Sequence, residues 1–129
     1  MSKGFPPNFK ASEFNCKCGQ CDGFPYPDRI RHLAWVLQKI RREIGCPLKI
    51  TSGYRCEDHN RAIGGATKSK HVQCWAADIK PVGKSVTELF ETIQALRNAG
   101  EILQGGLGKY AAWAHYDIRP GGPADWDKR

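Results

Sequence analysis

No run of about 18 apolar residues occurs in the chain, so no helix of it is expected to span a membrane. The opening Met-Ser-Lys-Gly-Phe-Pro-Pro-Asn lacks the apolar stretch of a secretory signal. The expectation is therefore synthesis in a cytoplasm and arrival at any outside target by another route. Internal repeats, low-complexity tracts and linkers are missing too, which excludes solenoids and disordered chains. The 129 residues read as one domain, 1–129, long enough to bury a core without obligatory staples. Acidic residues are in the minority, with 13 Asp and Glu against 20 Lys and Arg, for a net charge of +7. That excess favours polyanionic surroundings such as nucleic acid, an anionic membrane face or an acidic cell-wall polymer. Arg29, Arg31, Lys39, Arg41 and Arg42 lie along one predicted helix, and Lys68 and Lys70 flank the segment before His71. A solvated helix face is the plain reading of such charge, and steering toward an anionic polymer the functional one. No aromatic stacking pattern or nucleic-acid motif accompanies it, so no nucleic-acid partner is expected.

Cysteine, by contrast, is plentiful. Cys16, Cys18 and Cys21 form a Cys-x-Cys-x-x-Cys cluster, and Cys46, Cys56 and Cys74 are dispersed. Free thiols, disulfides tying the N-terminal segment to the body, and a second metal are all open readings. A structural zinc takes about four ligands and the cluster supplies three, so His32 or a distant cysteine would have to join.

Residues 1–27 are rich in Pro, Gly and Cys and predict an irregular segment with one helical turn at Ala11-Ser-Glu-Phe14. Asp28 can cap a helix that begins just after it. Ile30, Leu33, Leu37, Ile40 and Ile44 recur at three- and four-residue spacing, the stripe of an amphipathic helix that Gly45 ends. Trp35 and Trp75 are expected to extend its core. Residues 48–51 alternate as a half-buried strand should, 58–62 suggest a short helix closed by Gly64-Gly65, and 75–80 suggest a strand carrying Asp78. Ser85 and Glu88 make a capping-box pair ahead of Val86, Leu89, Phe90, Ile93 and Leu96, a second amphipathic helix ending near Gly100. Residues 107–110 and 113–118 predict a hairpin turning at Ala111-Ala112, and Pro120-Gly-Gly-Pro123 starts an irregular tail. The sum is α+β, with two main helices packed on a small, mostly antiparallel sheet.

Three potential metal ligands stand out: His71 and Asp78 in Ser69-Lys-His-Val-Gln-Cys-Trp-Ala-Ala-Asp-Ile79, and His115 in Trp113-Ala-His-Tyr-Asp-Ile-Arg119. Two imidazoles and a carboxylate suit zinc and leave a position open for water, which the metal would activate toward an amide carbonyl. His71 and Asp78 can converge from a loop and the strand it enters. His115 and Asp117 are two apart on a predicted strand and share a face. The competing reading makes His115 a core histidine with Asp117 as its hydrogen-bond partner.

Ser52-Gly-Tyr-Arg55, His59-Asn60, Gly64-Gly65, Ser69-x-His71, Ala76-x-Asp78 and His115-x-Asp117-x-Arg119 together resemble the M15 family of zinc peptidases. That family includes D-Ala-D-Ala carboxypeptidases and phage cell-wall endopeptidases. Phe9-Lys-Ala-Ser-Glu-Phe14 with Cys16-Lys-Cys-Gly is similar to the short, phage-associated branch. The resemblance covers residues 9–119. It implies the fold shared by D-Ala-D-Ala peptidases and the hedgehog signalling domain, with one catalytic Zn2+ held by His71, Asp78 and His115. Arg55 is implied as a catalytic and substrate-binding group, polarising the scissile carbonyl or holding a substrate carboxylate. Ser69 is implied in substrate binding or in bracing its loop. His59 reads as tying down the 58–65 segment, the alternative being a place behind the metal ligands. The implied activity is hydrolysis of an amide bond in peptidoglycan stem peptides, as an endolysin-like endopeptidase or a D-Ala-D-Ala carboxypeptidase. The protein is expected to be a monomer acting on the cell wall after phage-mediated release or from a virion. The alternative is a zinc-holding module without turnover that binds wall or protein.

Two departures from the family pattern matter. Many members carry Glu or Asp three residues before the last histidine, where this chain has Ala112. Asp117 then becomes the catalytic candidate, either as general base or as the group that orients His115, with Glu57, Asp58 and Glu101 in reserve. Cys74 replaces the glycine of His-x-x-Gly-x-Ala-x-Asp. A cysteine there implies backbone strain, a disulfide, burial, or ligation of the metal.

Overall fold

The computed structural model describes residues 4–21 and 23–128. The stripe of Ile30, Leu33, Leu37, Ile40 and Ile44 is buried along one face of helix α1, Pro27–Ile44. Pro27 occupies the first helical turn, where its missing N–H costs nothing, and Tyr26 is the cap residue. Asp28, expected as the cap, instead lies inside the first turn and pairs with Arg31. Gly45 closes the helix in the left-handed conformation, its N–H bonded to the Arg41 carbonyl.

Strand β1 (Leu48–Ser52), helix α2 (Glu57–Ala62) and strand β2 (Ala76–Pro81) come next along the chain. Helix α3 (Val86–Asn98) opens on the expected reciprocal cap, with Ser85 Oγ accepting from the Glu88 N–H at 3.0 Å. Strands β3 (Gly106–Tyr110) and β4 (Ala114–Asp117) form the predicted hairpin. The tail departs from expectation. Residues Ala124–Lys128 form a fifth strand, β5, which runs parallel to β3. Gly121 and Gly122 both take positive φ (94 and 103), which lets the chain double back after β4 and run along the sheet edge. A five-residue strand whose one large apolar side chain is Trp126 carried too little alternation to be read as a strand.

The sheet order is β1-β2-β4-β3-β5, antiparallel except for the β3–β5 pair. Period-two alternation divides its faces. Ala77, Ile79, Leu107, Ala114 and Tyr116 join the core with α1 and α3, whereas Asp78, His115 and Asp117 lie on the opposite face. The N-terminal segment is pinned to this body. Phe14 is fully buried, the Tyr54 N–H donates to its carbonyl at 2.8 Å, and a Cβ on Gly53 would meet the Phe14 backbone. Trp75 packs against the core as expected, while the Trp35 indole donates to the Gly4 carbonyl at 2.6 Å. Among the described residues no helix is long and apolar enough to cross a membrane.

None of the six cysteines is disulfide-bonded. Cys74 is the one non-glycine with positive φ (63) among the described residues, and its side chain is fully buried in the core. Of the alternatives raised by the departure at this position, backbone strain with burial is what occurs. A side chain in the left-handed region costs about 1–2 kcal/mol that glycine avoids. Cys74→Gly should therefore be more stable than Cys74→Ala by about 1 kcal/mol, the reverse of the ordinary order for these residues. Urea unfolding of the two variants measures this, and an alanine variant of equal or greater stability would contradict it.

Candidate metal centre

The register of the sheet builds the site. Asp78 on β2 lies directly across from His115 on β4, and Ser52 on β1 lies across from Asp78 on the other side. Residues directly opposite in an antiparallel pair hold their Cβ atoms about 5 Å apart, close enough for side chains to share one ion. His71 arrives from the turn that precedes β2. Cys74 in its left-handed conformation belongs to that turn, with its N–H bonded to the His71 carbonyl at 3.3 Å.

Three acceptor atoms converge there. Asp78 Oδ1 lies 3.2 Å from His71 Nε2 and 3.1 Å from His115 Nδ1. The other nitrogen of each ring is occupied. His71 Nδ1–H donates to the Gly53 carbonyl at 2.8 Å, and His115 Nε2–H donates to Asp117 Oδ2 at 2.7 Å. In neutral imidazoles these bonds leave lone pairs on His71 Nε2 and His115 Nδ1, both facing the Asp78 carboxylate. All three residues are buried, so a proton or a metal ion must lie between such acceptors, and the set could hold a metal. Ligands at 2.0–2.1 Å from a tetrahedral zinc stand about 3.3 Å apart, close to the two distances from Asp78 Oδ1. The donor chemistry and the geometry both fit a zinc ion held by His71, Asp78 and His115.

The electrostatics agree. Burial pushes the His71 pKa down, against the pull of Asp78, and keeps the ring in the neutral form that ligates. Burial alone would raise the Asp78 carboxyl, but the hydrogen bonds with His115 and His71 outweigh it and hold Asp78 well below the usual carboxylate range. Burial would lower His115, yet its bonds to Asp117 and Asp78 win and raise it. A proton on His115 Nδ1 thus competes with the metal for the same lone pair.

Asp117 lies beneath His115 and is 0% exposed. Its oxygens accept from His115 Nε2, Gly106 N, Arg119 N, and Arg119 Nε and NH2 at 2.7–3.1 Å. A Cβ on Gly106 would collide with this carboxylate and with Arg119, so glycine is required beside it. Burial tends to raise the Asp117 carboxyl, but Arg119 and His115 overcome it and hold it well below the usual range. Of the two roles read for Asp117 in the sequence, this geometry matches the orienting one. Its oxygens are used up on the far side of the ring from Asp78, and it does not line the cleft.

That cleft, of roughly 650 Å³, is lined by His71, Asp78, His115, Arg55 and Ser69 together with a rim of aromatic and basic residues. Arg55 spans three partners, donating to Ser52 Oγ at 3.0 Å, Asn60 Oδ1 at 3.2 Å and Asp78 Oδ2 at 3.2 Å. Ser69 Oγ accepts from the His71 N–H at 3.2 Å and so braces the ligand loop. Asn60 ties down the segment after α2, and the His59 carbonyl accepts from the Ile63 N–H at 3.1 Å. Asn60 is buried, donates to the Ala66 carbonyl at 2.8 Å, and its own carbonyl accepts from Gly65 N at 2.8 Å. His59 lines a neighbouring hollow with Arg55 and Trp113. None of the reserve carboxylates reaches the site. Glu57 and Asp58 are exposed on α2, and Glu101 borders a separate hollow beside α3.

Sequence reasoning missed the wall of the cleft formed by Tyr110, Trp113 and Trp126. Tyr110 and Trp113 stack at 4.7 Å, Trp126 Nε1 donates to the Tyr110 hydroxyl at 2.8 Å, and the Trp126 ring lies 5.0 Å from that of His115. Gly108 lies across from both His115 and Trp126, and a Cβ there would collide with the indole. The only trace of this wall in the sequence is a glycine in the middle of a predicted strand.

A buried His-Asp-His set opening onto a cleft is an arrangement that could hold a metal ion beside a bound ligand. The class follows from the sequence model described as peptidase M15, which matches residues 7–117. The chain belongs to the peptidase M15 family. No curated protein matches it.

Two results are expected at this centre. Zinc affinity should fall as pH drops from about 8 to about 6, because the metal must displace a proton from a His115 whose pKa lies above the usual value of about 6.5. Competition titrations across that range measure it, and a flat profile would show that His115 does not ligate. Asp117→Asn should weaken zinc binding by about 10- to 100-fold through loss of the charged acceptor that orients His115.

Proposed function

We propose that this protein is a zinc-dependent peptidase that hydrolyses an amide bond in an anionic peptide, with peptidoglycan stem peptides as the substrate class. The observation that carries the reading is the pairing of the His-Asp-His set with a cationic and aromatic rim in one cleft. Lys68, Lys70, Arg119 and Lys128 supply the charge, and Tyr110, Trp113 and Trp126 supply flat apolar surface. Stem peptides carry carboxylates along a short chain, which such a rim would attract and align. The similarity of residues 9–19 to the phage-associated branch supports an endolysin-like or virion-borne role.

Zinc held by His71, Asp78 and His115 would supply Lewis acidity toward the scissile carbonyl and activate water. The chain's own residues prepare the ground for this. Asp117 and Arg119 hold His115 in the ligating tautomer, and the Gly53 carbonyl does the same for His71. Arg55 keeps Asp78 Oδ2 occupied, which leaves Oδ1 for the ion, and presents its guanidinium to the cleft, where it can steady a substrate oxygen. The Ser69 hydroxyl accepts from the His71 N–H and so retains its own proton to donate to substrate.

One observation favours a second reading, a zinc-holding module that binds without turnover. Among the described residues Asp78 is the only carboxylate lining the cleft, and Ala112 stands where many relatives carry an acid. The two readings separate by experiment. Incubation with purified peptidoglycan and with soluble stem peptides should release new amino groups, and His71→Ala should lose both the zinc and that release. Zinc binding without any new amine would leave only the binding module. Lys68→Glu with Lys70→Glu should raise KM roughly tenfold at low salt with kcat little changed, an effect that shrinks as salt screens the charges.

A further inference from the structure

We propose that Cys16, Cys18, Cys21 and Cys56 form a second, structural zinc site that fastens the N-terminal segment to the start of α2. Their four sulfurs lie within 4.8 Å of one another. Cys16 Sγ and Cys56 Sγ are 3.8 Å apart, and Cys18 Sγ and Cys21 Sγ are 3.5 Å apart. Four thiolates at about 2.3 Å from a tetrahedral zinc stand about 3.8 Å from one another. A disulfide would bring a pair to about 2.05 Å, so the spacing is that of sulfurs arranged around an ion.

The surroundings are those of thiolate ligands. Backbone N–H groups donate to three of the sulfurs. Gln20 N reaches Cys18 at 3.3 Å, Cys56 N reaches Cys16 at 3.4 Å, and His59 N reaches Cys56 at 3.4 Å. Such bonds neutralise part of the negative charge and orient the ligands. Four soft protein donors select zinc and leave no position for water, so this site is structural rather than catalytic. The fourth ligand that the N-terminal cluster lacked is the distant Cys56. His32 lies exposed on α1, outside the cluster, and Cys46 and Cys74 are buried elsewhere in the core.

The second ion would also support the cleft. Arg55, which holds Asp78 Oδ2, sits between Tyr54, bonded to the Phe14 carbonyl, and Cys56 in the cluster. Anchoring both flanks to the N-terminal segment fixes the backbone that presents Arg55. None of the four cysteines lines the cleft, so the ion acts on the site from behind.

Zinc stoichiometry, cobalt spectroscopy and cysteine mapping on the full chain test the proposal. The protein should bind two zinc ions. Cobalt(II) in their place should give thiolate-to-cobalt charge-transfer absorption, which a His-Asp-His site cannot produce. His71→Ala should lose one metal and keep the charge-transfer bands. Cys56→Ser should lose the other metal together with those bands, and Cys46→Ser should keep both metals. If Cys56→Ser fails to fold, alkylation of the unmutated protein decides. Chelator alone should expose Cys16, Cys18, Cys21 and Cys56 to labelling, as mapped by peptide mass. Labelling that requires a reductant would mean disulfides, and labelling without chelator would mean free thiols. Either result overturns the proposal without touching the His-Asp-His reading.

Discussion

Three metal-binding atoms facing one another in a buried site, where a proton or a metal ion must lie between them, are the constraint on which this structure turns. Asp78 Oδ1 lies 3.2 Å from His71 Nε2 and 3.1 Å from His115 Nδ1, on the buried side of a cleft. In a low-dielectric interior that arrangement is unfavourable unless a cation fills it. The neighbouring residues hold the three atoms in place instead of relieving them. The Gly53 carbonyl and the Asp117 carboxylate take up the remaining ring N–H groups, and Arg55 engages the second oxygen of Asp78. The sheet register that sets Asp78 across from His115 turns these contacts into a rigid frame.

Strain and crowding appear where this frame is tightest. The turn that delivers His71 passes through Cys74, which keeps a left-handed backbone despite its side chain. Burial of that side chain in the core offsets part of the cost. On the other flank Gly106 and Gly108 leave room for Asp117 with Arg119 and for Trp126. Side chains at these two positions would push apart the groups that orient and cover His115.

The helical side of the sheet and the functional side are separated by strand periodicity alone. Alternate residues of β2 and β4 serve the core and the cleft, so Asp78 and His115 inherit the rigidity of a core packed against α1 and α3. The opposite face closes with aromatic rings and positive charge. The N-terminal segment, irregular among its described residues apart from one 3-10 turn, is held down by Phe14 and meets Cys56 through its cysteines.

Local pattern determined much of this in advance. The three- and four-residue spacing of Ile30 through Ile44, the Ser85–Glu88 cap and the alternation around His115 made both main helices and the hairpin legible, because each depends on near neighbours in the chain. The candidate ligands His71, Asp78 and His115 stood out for a similar reason, since each sits in a distinctive short motif, and the fold brings them together. Only the tertiary structure decided the rest. The pairing of β5 with β3 brings Trp126 beside His115, and the backbone path brings Cys56 to a cluster about 40 residues earlier in the sequence. The burial of Asp117 among five donors likewise comes from β3 and from the turn after β4, which the two-residue motif cannot reveal. Contacts between distant segments depend on register and loop path, and those are fixed by the packing of the whole chain rather than by any local run of residues.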